Sequence, residues 1–305
     1  MNQRLGTHTN HLSTWADMVR VAARELEQAG VPSAWHDAQA LAAYAQGVDI
    51  SRAITNCAPS DSQAQRFYSL CHRRQLREPL QHILGTMWFR YLELESRPGV
   101  FIVRPETELV AQAGIDALQC FIEHGREDLV AVDLFTGSGA IALSMATELK
   151  NATSELTVYG VEKSLCAYQS AQRNNARYGN LVHFIHADAC EKFSPDRERT
   201  FAEKTALVIA NPPYVPPYHE LSPEVQADPN MALFGGGADG LDIPLQALRR
   251  SWQLLMPGGA LVMEHASEQA HALRTAAYEQ GFVHISTGRD LAGNDRWLEA
   301  YKPQI

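Results

Sequence analysis

The feature that most constrains the fold is an alternation of apolar runs and helical patterns that begins near Glu108. Runs rich in Val, Ile and Leu are typical of strands buried on both faces, and parallel strands need a crossover between them, usually a helix. The predicted strands are Leu129–Phe135, Leu156–Glu162, Val182–Asp188, Ala206–Ala210, Ala260–His265, and two around Val283–Thr287 and Arg296–Tyr301. Helical patterns separate the first five, which predicts a parallel α/β sheet. The last two lack a helix between them, which predicts an antiparallel hairpin at the end of the sheet.

The first 80 residues carry a different pattern, that of amphipathic helices. The first helix is marked by apolar residues at i, i+3, i+4 and i+7, with Ser13 or Thr14 as N-cap and Gly30 as the stop. Its apolar positions are Trp15, Met18, Val19, Ala22, Ala23 and Leu26. Residues 33–47 and Ser60–Arg77 predict two more helices. Together these predict a small helical bundle.

Between the two regions, residues 81–107 contain prolines and glycines that interrupt regular structure, together with "WFRYLELES", in which apolar and polar residues alternate. Such a pattern predicts a β-hairpin, here serving as a linker. The predicted domains are therefore a helical domain over 1–80, a hairpin linker over 81–107 and an α/β domain over 108–305.

Charge and cysteine content narrow the function classes. The net charge is −9, and residues after His82 carry 18 basic and 28 acidic residues, a net of −10. This argues against nucleic acid as the main partner, because phosphate binding needs clustered Lys and Arg. Five scattered cysteines without a CxxC pair are typical of reduced thiols, and no pattern suggests a metal site. Without a signal-peptide or membrane-span pattern, a soluble cytoplasmic protein is expected.

The turn after the first predicted α/β strand, "DLFTGSGAIALSMA", is the first candidate binding element. Gly137 and Gly139 permit a tight turn and close approach of a ligand, and the next helix begins with free N–H donors. Glu162 ends the following strand, where a carboxylate can accept from both ribose hydroxyls. These features predict an adenosine-containing ligand. They also fit a nicotinamide dehydrogenase, since residues 137–142 satisfy G-x-G-x-x-A.

The corner "NPPY" after the fourth strand favours a different chemistry. The Asn211 side chain and the Pro212 carbonyl can both accept from one –NH2 group, and the two prolines keep these acceptors aimed. Tyr214 offers a ring face to a cationic sulfonium. Asp133 can accept from the amino group of a methionine moiety, and Asp188 from the adenine amino group. This combination favours methyl transfer to a planar –NH2 group.

The motifs together resemble those of S-adenosylmethionine-dependent methyltransferases, and of the HemK/PrmC family of protein glutamine N5-methyltransferases in particular. The resemblance spans about residues 12–300 and rests on the two motifs above and on four more segments. These are "HDAQALAAYAQGV", "REPLQHILGTMWFRYLELESRPGVFIVRPETELV", "ADPNMALFGGGADGL" and "GRDLAGNDRWLEA". The last of them is similar to the release-factor branch of the family. The family fold implied is a seven-stranded Rossmann-like class I methyltransferase sheet with a helical bundle joined by a β-hairpin.

The resemblance implies methyl transfer from S-adenosyl-L-methionine to the glutamine of the Gly-Gly-Gln motif in peptide-chain release factors. The residues implied to bind the cofactor are Asp133, Phe135, Thr136, Gly137, Ser138, Gly139, Glu162, Asp188, Ala189 and Asn211. Those implied to hold the glutamine are Asn211, Pro212, Pro213 and Tyr214, with Arg104, Pro105, Glu106 and Thr107 lining the same pocket. Asn211, Pro212 and Tyr214 are the predicted catalytic groups. Phe135 stands where the family usually has a small residue, which predicts a small shift of the loop.

Three alternatives remain at this point. A ribosomal protein is the glutamine substrate of a related branch. Adenine-N6 methylation of nucleic acid uses the same "NPPY" corner, although it calls for a basic face. A dehydrogenase or non-catalytic nucleoside-binding module fits the glycine loop but leaves the corner unexplained.

Overall fold

The computed structural model describes residues 14–152 and 156–304, which form two compact units. The first unit runs to Gly85 and includes the short segment Ser222–Ala227. The second comprises Thr86–Leu221 and the chain from Asp228 onward. Helices and strands below are numbered in chain order.

The first unit is a bundle of short helices. They are α1 (Trp15–Gln28), α2 (Ala34–Gln46), α3 (Asp61–Gln75) and α4 (Leu80–Leu84), with α9 (Pro223–Gln226) from the inserted segment. All six apolar positions predicted for α1 are buried. The Thr14 hydroxyl accepts from Asp17 N and caps this helix, whereas Ser13 lies outside the described residues. The bundle predicted from helical periodicity is therefore confirmed.

A buried ion-pair cluster joins three segments of this unit. Arg74 Nε lies 2.8 Å from Asp37 Oδ2, and its Nη2 lies 2.8 Å from Glu224 Oε1. Arg77 also pairs with Glu224, at 2.6 Å. The Arg74 and Asp37 side chains are only 5% and 6% exposed. Because a charge buried this deeply needs a partner, the cluster links α2, α3 and α9.

The second unit is built on a seven-stranded sheet in the order β5-β4-β3-β6-β7-β9-β8. The strands are β3 (Val130–Leu134), β4 (Thr157–Glu162), β5 (Val182–His186), β6 (Thr205–Ala210), β7 (Leu255–Glu264), β8 (Val283–Arg289) and β9 (Asp295–Tyr301). Strands β3 to β7 pair in parallel, and β9 is antiparallel to both β7 and β8. The predicted parallel sheet and its antiparallel end are confirmed.

Helices cover both faces of this sheet. They are α5 (Thr107–Glu123), α6 (Ala140–Glu148), α7 (Leu165–Arg177), α8 (Pro195–Lys204), α10 (Asn230–Leu233), α11 (Asp242–Leu254) and α12 (Ala270–Gln280). Ala131 of β3 packs in one hydrophobic cluster with α5 and α6 residues, and its neighbours Val130 and Val132 pack in the other with α8, α11 and α12 residues. Alternate residues of one strand thus enter opposite layers.

Several strand boundaries differ from the predictions by one or two residues, and the start of β7 differs by five. β7 begins at Leu255 rather than Ala260, because Leu255 pairs with Thr205 before an irregularity shifts the register and Ala260 pairs with Leu207. β5 ends at His186, so Asp188 follows the strand by two residues instead of ending it. The sequence did not predict the start of β7 because residues 257–259 are a proline and two glycines, which are unfavourable inside a strand.

The predicted hairpin is also confirmed: β1 (Thr86–Phe89) pairs antiparallel with β2 (Leu92–Glu95). Its apolar side chains, Met87 and Phe89 among them, belong to a core cluster of the second unit. Its role as a linker stays a prediction, as do the boundaries at 80 and 107. Across the described ranges, every helix is too short or too polar to cross a bilayer.

Candidate active site

The loop after β3 carries three residues with left-handed backbone, Phe135 at φ 63°, Gly137 at 58° and Gly139 at 86°. It leads directly into α6, which begins at Ala140. A Cβ on Gly139 would lie 2.8 Å from Phe184 Cζ, so glycine is required there for packing as well as for conformation. At Phe135, an aromatic residue occupies a conformation that disfavours any side chain. That strain is a reason for a small residue at this position.

Asp133 lies beneath this loop. Its side chain is buried, and Oδ2 accepts from the Thr136 hydroxyl at 2.5 Å and from Ala142 N at 3.2 Å. Burial raises the pKa of Asp133 to about 7, although the hydrogen bonds from Thr136 and Ala142 act to lower it. The observed contacts of Asp133 therefore hold the loop against α6.

Glu162 ends β4 beside the same loop. Its Oε2 accepts from Gly137 N at 2.9 Å and its Oε1 from Ser164 N at 2.6 Å. Burial raises the pKa of Glu162, and the backbone hydrogen bonds from Ser164, Gly137 and Lys163 oppose that rise. Each carboxylate oxygen retains acceptor capacity beyond its backbone bond, since a carboxylate offers about four lone-pair sites. A pair of vicinal hydroxyls is a suitable donor set for it.

Asp188 and Ala189 follow β5 on the other side of Glu162. Asp188 Oδ2 pairs with Lys163 Nζ at 2.8 Å, and Oδ1 accepts from Cys190 N at 2.9 Å. Burial acts to raise the pKa of Asp188, but the hydrogen bonds from Lys163 and Cys190 and the charge of Lys163 together outweigh it, and the pKa is lowered. Asp188 therefore remains a carboxylate acceptor. Ala189 is buried and has no ring to stack on a base.

The corner that begins at Asn211 follows β6, at the carboxyl end of the central strand pair. Asn211 Nδ2 donates to the Thr107 hydroxyl at 3.3 Å. Because the nitrogen of this amide is engaged, its oxygen Oδ1 is the atom left to accept from a ligand. A polar group presented at a strand's carboxyl end, next to the point where strand order reverses, is in the usual place for binding in α/β sheets.

The Tyr214 hydroxyl contacts Glu264, a residue that the sequence analysis did not predict to be part of the site. The Tyr214 hydroxyl donates to Glu264 Oε1 at 3.0 Å, and Glu264 ends β7 with 1% exposure. Burial raises the pKa of Glu264 to about 7, while the nearby hydroxyls of Thr107 and Tyr214 and the charge of Arg296 lower it. A carboxylate ending an otherwise apolar strand, "ALVMEH", was the available signal.

The backbone of Tyr214 is enclosed by the glycine-rich segment that follows it. Tyr214 O accepts from Gln269 Nε2 at 2.8 Å. Cβ atoms on Gly235 and Gly240 would lie 2.8 Å from Tyr214 Cα and 2.2 Å from Tyr214 O. Because these two glycines have no side chain, their backbone can pack against the backbone of Tyr214 and hold the "NPPY" corner in place.

In the segment Arg104–Thr107, only the threonine faces the cavity. Arg104 forms an ion pair with the buried Asp228, whose Oδ1 also accepts from Ile102 N at 2.9 Å. Glu106 precedes α5 as its N-cap residue. Arg104 and Glu106 are thus positioned around the site, whereas Thr107 contacts Asn211 directly.

A cavity of about 330 Å³ is lined by most of the predicted site residues. The predicted residues that line it are Phe135, Thr136, Gly137, Ser138, Glu162, Asp188, Ala189, Asn211, Pro213 and Thr107. The predicted residues outside its lining are Asp133, Gly139, Arg104, Pro105, Glu106, Pro212 and Tyr214. Apolar side chains complete the walls, including Phe101, Val103, Ile141 and Phe234. The glycine loop and the Asn211 corner therefore face a single space.

Comparison with known proteins agrees with this architecture. Residues 17–85 match the family model described as the PrmC N-terminal domain. A release factor glutamine methyltransferase of Bifidobacterium longum (strain NCC 2705) is 39% identical over 295 residues, covering 93% of this chain and 98% of the relative. That of Streptomyces coelicolor (strain ATCC BAA-471 / A3(2) / M145) is 39% identical over 291 residues, covering 93% and 96%.

A third relative has the same printed description. The release factor glutamine methyltransferase of Mycobacterium tuberculosis (strain ATCC 25618 / H37Rv) is 34% identical over 292 residues, covering 95% of this chain and 92% of the relative. With each of these three relatives, the match spans nearly the whole of both chains. The chain belongs to the release factor glutamine methyltransferase family.

Proposed function

We propose that this protein transfers a methyl group from S-adenosyl-L-methionine to the side-chain amide nitrogen of the glutamine in the Gly-Gly-Gln motif of release factors. The observation that carries the proposal is the shared cavity: Asn211 and Pro213 form one wall, and the glycine loop with Glu162 forms another. Family membership supports the substrate, because the relatives above are described as acting on release factors.

The residues present fit the cofactor. Glu162 retains acceptor capacity for the ribose hydroxyls, and Asp188 remains ionised to accept from the adenine amino group. A Cβ on Gly137 would meet nothing within 4 Å, so the loop leaves open space in front of it. Apolar walls suit the adenine and the methionine chain. The cofactor supplies an electrophilic methyl group on a sulfonium.

The chain's own residues orient the nucleophile. An amide nitrogen is weakly nucleophilic because its lone pair is delocalised into the carbonyl. Asn211 Oδ1 and the Pro212 carbonyl oxygen accept hydrogen bonds from the two N–H groups of the glutamine amide. These two hydrogen bonds orient the lone pair of the amide nitrogen toward the methyl carbon. With the amide held in this way, bound S-adenosylmethionine would supply the methyl group, and the glutamine nitrogen would release one proton to water.

The test is methylation of a purified bacterial release factor, mapped by peptide mass spectrometry. We expect one methyl on the Gly-Gly-Gln glutamine, and we expect Asn211→Ala to lower kcat roughly 10²–10³-fold, as loss of one oriented polar contact does. Asn151→Ala, in an exposed turn after α6, is the matched control and keeps full activity. Methyl only on a ribosomal protein or on DNA would refute the substrate, and no transfer at all would refute the activity.

We further propose that the helical unit recognises the release factor and that the protein acts in the cytoplasm. Trp35 and Tyr68 are each 49% exposed on that unit, although large aromatics usually bury more of their surface. Replacing both with Ala is expected to raise KM for the release factor and to leave KM for a short Gly-Gly-Gln peptide unchanged. An equal rise for both substrates would contradict this role.

A further inference from the structure

A buried carboxylate outside the cavity, that of Asp228, binds a segment that forms part of the cavity wall. This segment comprises residues 99–104. Asp228 Oδ1 accepts from Ile102 N at 2.9 Å, and its Oδ2 forms an ion pair with the Arg104 guanidinium. The Asp228 side chain is 0% exposed, and that of Arg104 is 28% exposed. Because one carboxylate binds both a backbone N–H and a side chain two residues later, the segment is fixed along its length.

The hydrogen bond at Ile102 decides which side chains of this segment face the cavity. Phe101 and Val103 line the cavity, whereas Ile102 between them is buried in a core cluster. Side chains that alternate in this way exchange places when the chain slips by one residue. Such a slip would move Phe101 and Val103 out of the wall, and it would break the contact between Ile102 N and Asp228.

Asp228 is also connected to the Phe101 ring through Arg104. The Arg104 guanidinium lies over this ring, 5.0 Å from the ring centroid, at a distance typical of a cation–π contact. After Asp228, the chain lines the cavity again at Pro229, Met231, Ala232 and Phe234. One carboxylate therefore joins two parts of the cavity wall.

The segment lies beside the part of the cavity that is proposed to bind the ribose. Cys166 Sγ donates to Pro98 O at 3.9 Å, and a Cβ on Gly99 would lie 3.3 Å from the same sulfur. Cys166 belongs to α7, whose N-cap residue Ser164 donates its N–H to Glu162 Oε1 at 2.6 Å. The segment therefore enters the wall on the cofactor side of the cavity.

We propose that Asp228 is a positioning residue for cofactor binding: by holding Ile102 N and Arg104, it keeps Phe101 and Val103 in the wall against which S-adenosylmethionine binds. Asp228 is not among the lining residues, so it acts through the segment and not by contact with the ligand. This inference rests on the proposed function for the identity of the cofactor. The placement of the segment itself is a property of the free protein.

The chain offers a matched control in which the same three groups lie away from the cavity. Glu198 Oε1 accepts from Phe193 N at 2.6 Å, and Glu198 Oε2 lies 3.0 Å from Arg250 Nη1. The Arg250 guanidinium lies over the Phe193 ring, 4.7 Å from its centroid. None of these three residues lines the cavity. Substitution of Glu198 therefore measures what the loss of such a set does to folding alone.

The first test compares Asp228→Asn with Glu198→Gln by isothermal titration calorimetry with S-adenosylmethionine. Asparagine keeps an acceptor oxygen for Ile102 N but presents N–H donors to Arg104. We expect Asp228→Asn to raise the Kd roughly 3- to 30-fold, as substitutions that act through intermediate residues do. Glu198→Gln should leave the Kd unchanged. Equal losses of affinity in the two variants would overturn the proposal.

A double-mutant cycle tests whether the effect passes through Phe101. In a Phe101→Ala background, Asp228→Asn should raise the Kd much less than in the unmodified protein, because the ring that Asp228 positions is gone. A purely structural role for Asp228 would give the same further loss in both backgrounds. Full additivity would therefore overturn the proposal.

A third readout needs no ligand. Hydrogen exchange of the Ile102 backbone amide, followed by NMR in the free protein, should accelerate roughly 10- to 100-fold in Asp228→Ala, because a hydrogen bond to a charged acceptor is lost. Exchange at Ile102 should not change in Glu198→Gln. If Asp228→Ala does not fold, Asp228→Asn is measured in its place and should show a smaller acceleration. An unchanged rate in the Asp228 variant would overturn the proposal.

The proposal and the proposed function can fail separately. A protein that shows the expected coupling between Asp228 and Phe101 but methylates no release factor would refute the proposed function alone. A protein that methylates the release factor and binds S-adenosylmethionine equally well with and without Asp228→Asn would refute the positioning role alone. A protein that binds no S-adenosylmethionine would refute both.

Discussion

Gly137 N donates a hydrogen bond of 2.9 Å to Glu162 Oε2, which joins the loop after β3 to the end of β4. The glycine loop and the carboxylate proposed to bind the ribose are therefore coupled. A change at Glu162 is expected to affect both the shape of the loop and the contact with the cofactor.

Glu162→Gln should weaken binding of S-adenosylmethionine by roughly 10- to 100-fold, because hydrogen bonds to a charged acceptor are worth about 1.5–3 kcal/mol. Isothermal titration calorimetry measures the Kd. Glu191→Gln is the matched control, since Glu191 is an exposed carboxylate that also lines the cavity. Equal losses in the two variants would show that net negative charge, not the position of Glu162, controls affinity.

Phe135 should respond to substitution in a way that reveals backbone strain. At φ 63° glycine is favoured over alanine, so Phe135→Gly should be more stable than Phe135→Ala by about 1 kcal/mol in chemical denaturation. Inside α6 the preference reverses: Ala146→Gly should lose about 1 kcal/mol. If Phe135→Ala were the more stable of the pair, the left-handed conformation at residue 135 would be wrong.

Gly240 and Gly293 separate steric contact from backbone conformation. Both have positive φ, 76° and 86°, but a Cβ on Gly240 would lie 2.2 Å from Tyr214 O, whereas one on Gly293 would meet nothing within 4 Å. Gly293→Ala should cost about 1 kcal/mol. Gly240→Ala should cost roughly 1–3 kcal/mol more through overpacking, and it should also reduce methylation by displacing the corner. Similar unfolding free energies for the two variants would contradict the packing behind Tyr214.

In the helical unit, adjacent arginines should differ widely in their contribution to stability. Arg74 pairs with Asp37 where both side chains are about 5% exposed, whereas Arg73 pairs with Glu78 at 41% and 33% exposure. Arg74→Ala leaves a buried carboxylate unpaired and should lower the free energy of unfolding by about 3–5 kcal/mol. Arg73→Ala should lower it by about 0–1 kcal/mol. Urea denaturation of both variants checks this, and a loss near 1 kcal/mol at Arg74 would argue against a buried pair.

Tyr214→Phe should change the titration of Glu264. The Tyr214 hydroxyl donates to the charged form of Glu264 and so lowers its pKa; without that hydrogen bond the pKa rises above about 7. An NMR titration of the ¹³C-labelled Glu264 carboxyl should therefore show its midpoint at higher pH than in the unmodified protein. Tyr278→Phe, at an exposed position, is the control. A midpoint that stays in place or moves to lower pH would contradict the link between Tyr214 and Glu264.

The amino-acid sequence by itself determined the elements whose signals are local. The spacing of Trp15 to Leu26 placed the buried face of α1, because one helical turn repeats every 3.6 residues. Apolar runs placed the strands of the sheet, and glycines with an acidic residue at the next strand's end placed the loop and Glu162. Motif resemblance then indicated the family, which the relatives confirm.

Only the tertiary structure decided which distant side chains meet. Glu264 lies 50 residues from Tyr214, and Thr107 lies 104 residues from Asn211, yet each pair is in hydrogen-bonding contact. Those contacts depend on β7 lying beside β6 and on how α5 begins, which no spacing in the sequence records. The same holds for Arg104, which pairs with Asp228, 124 residues away. Local periodicity decides where a chain forms helix or strand, but the partner of a buried polar group is decided by strand order and packing.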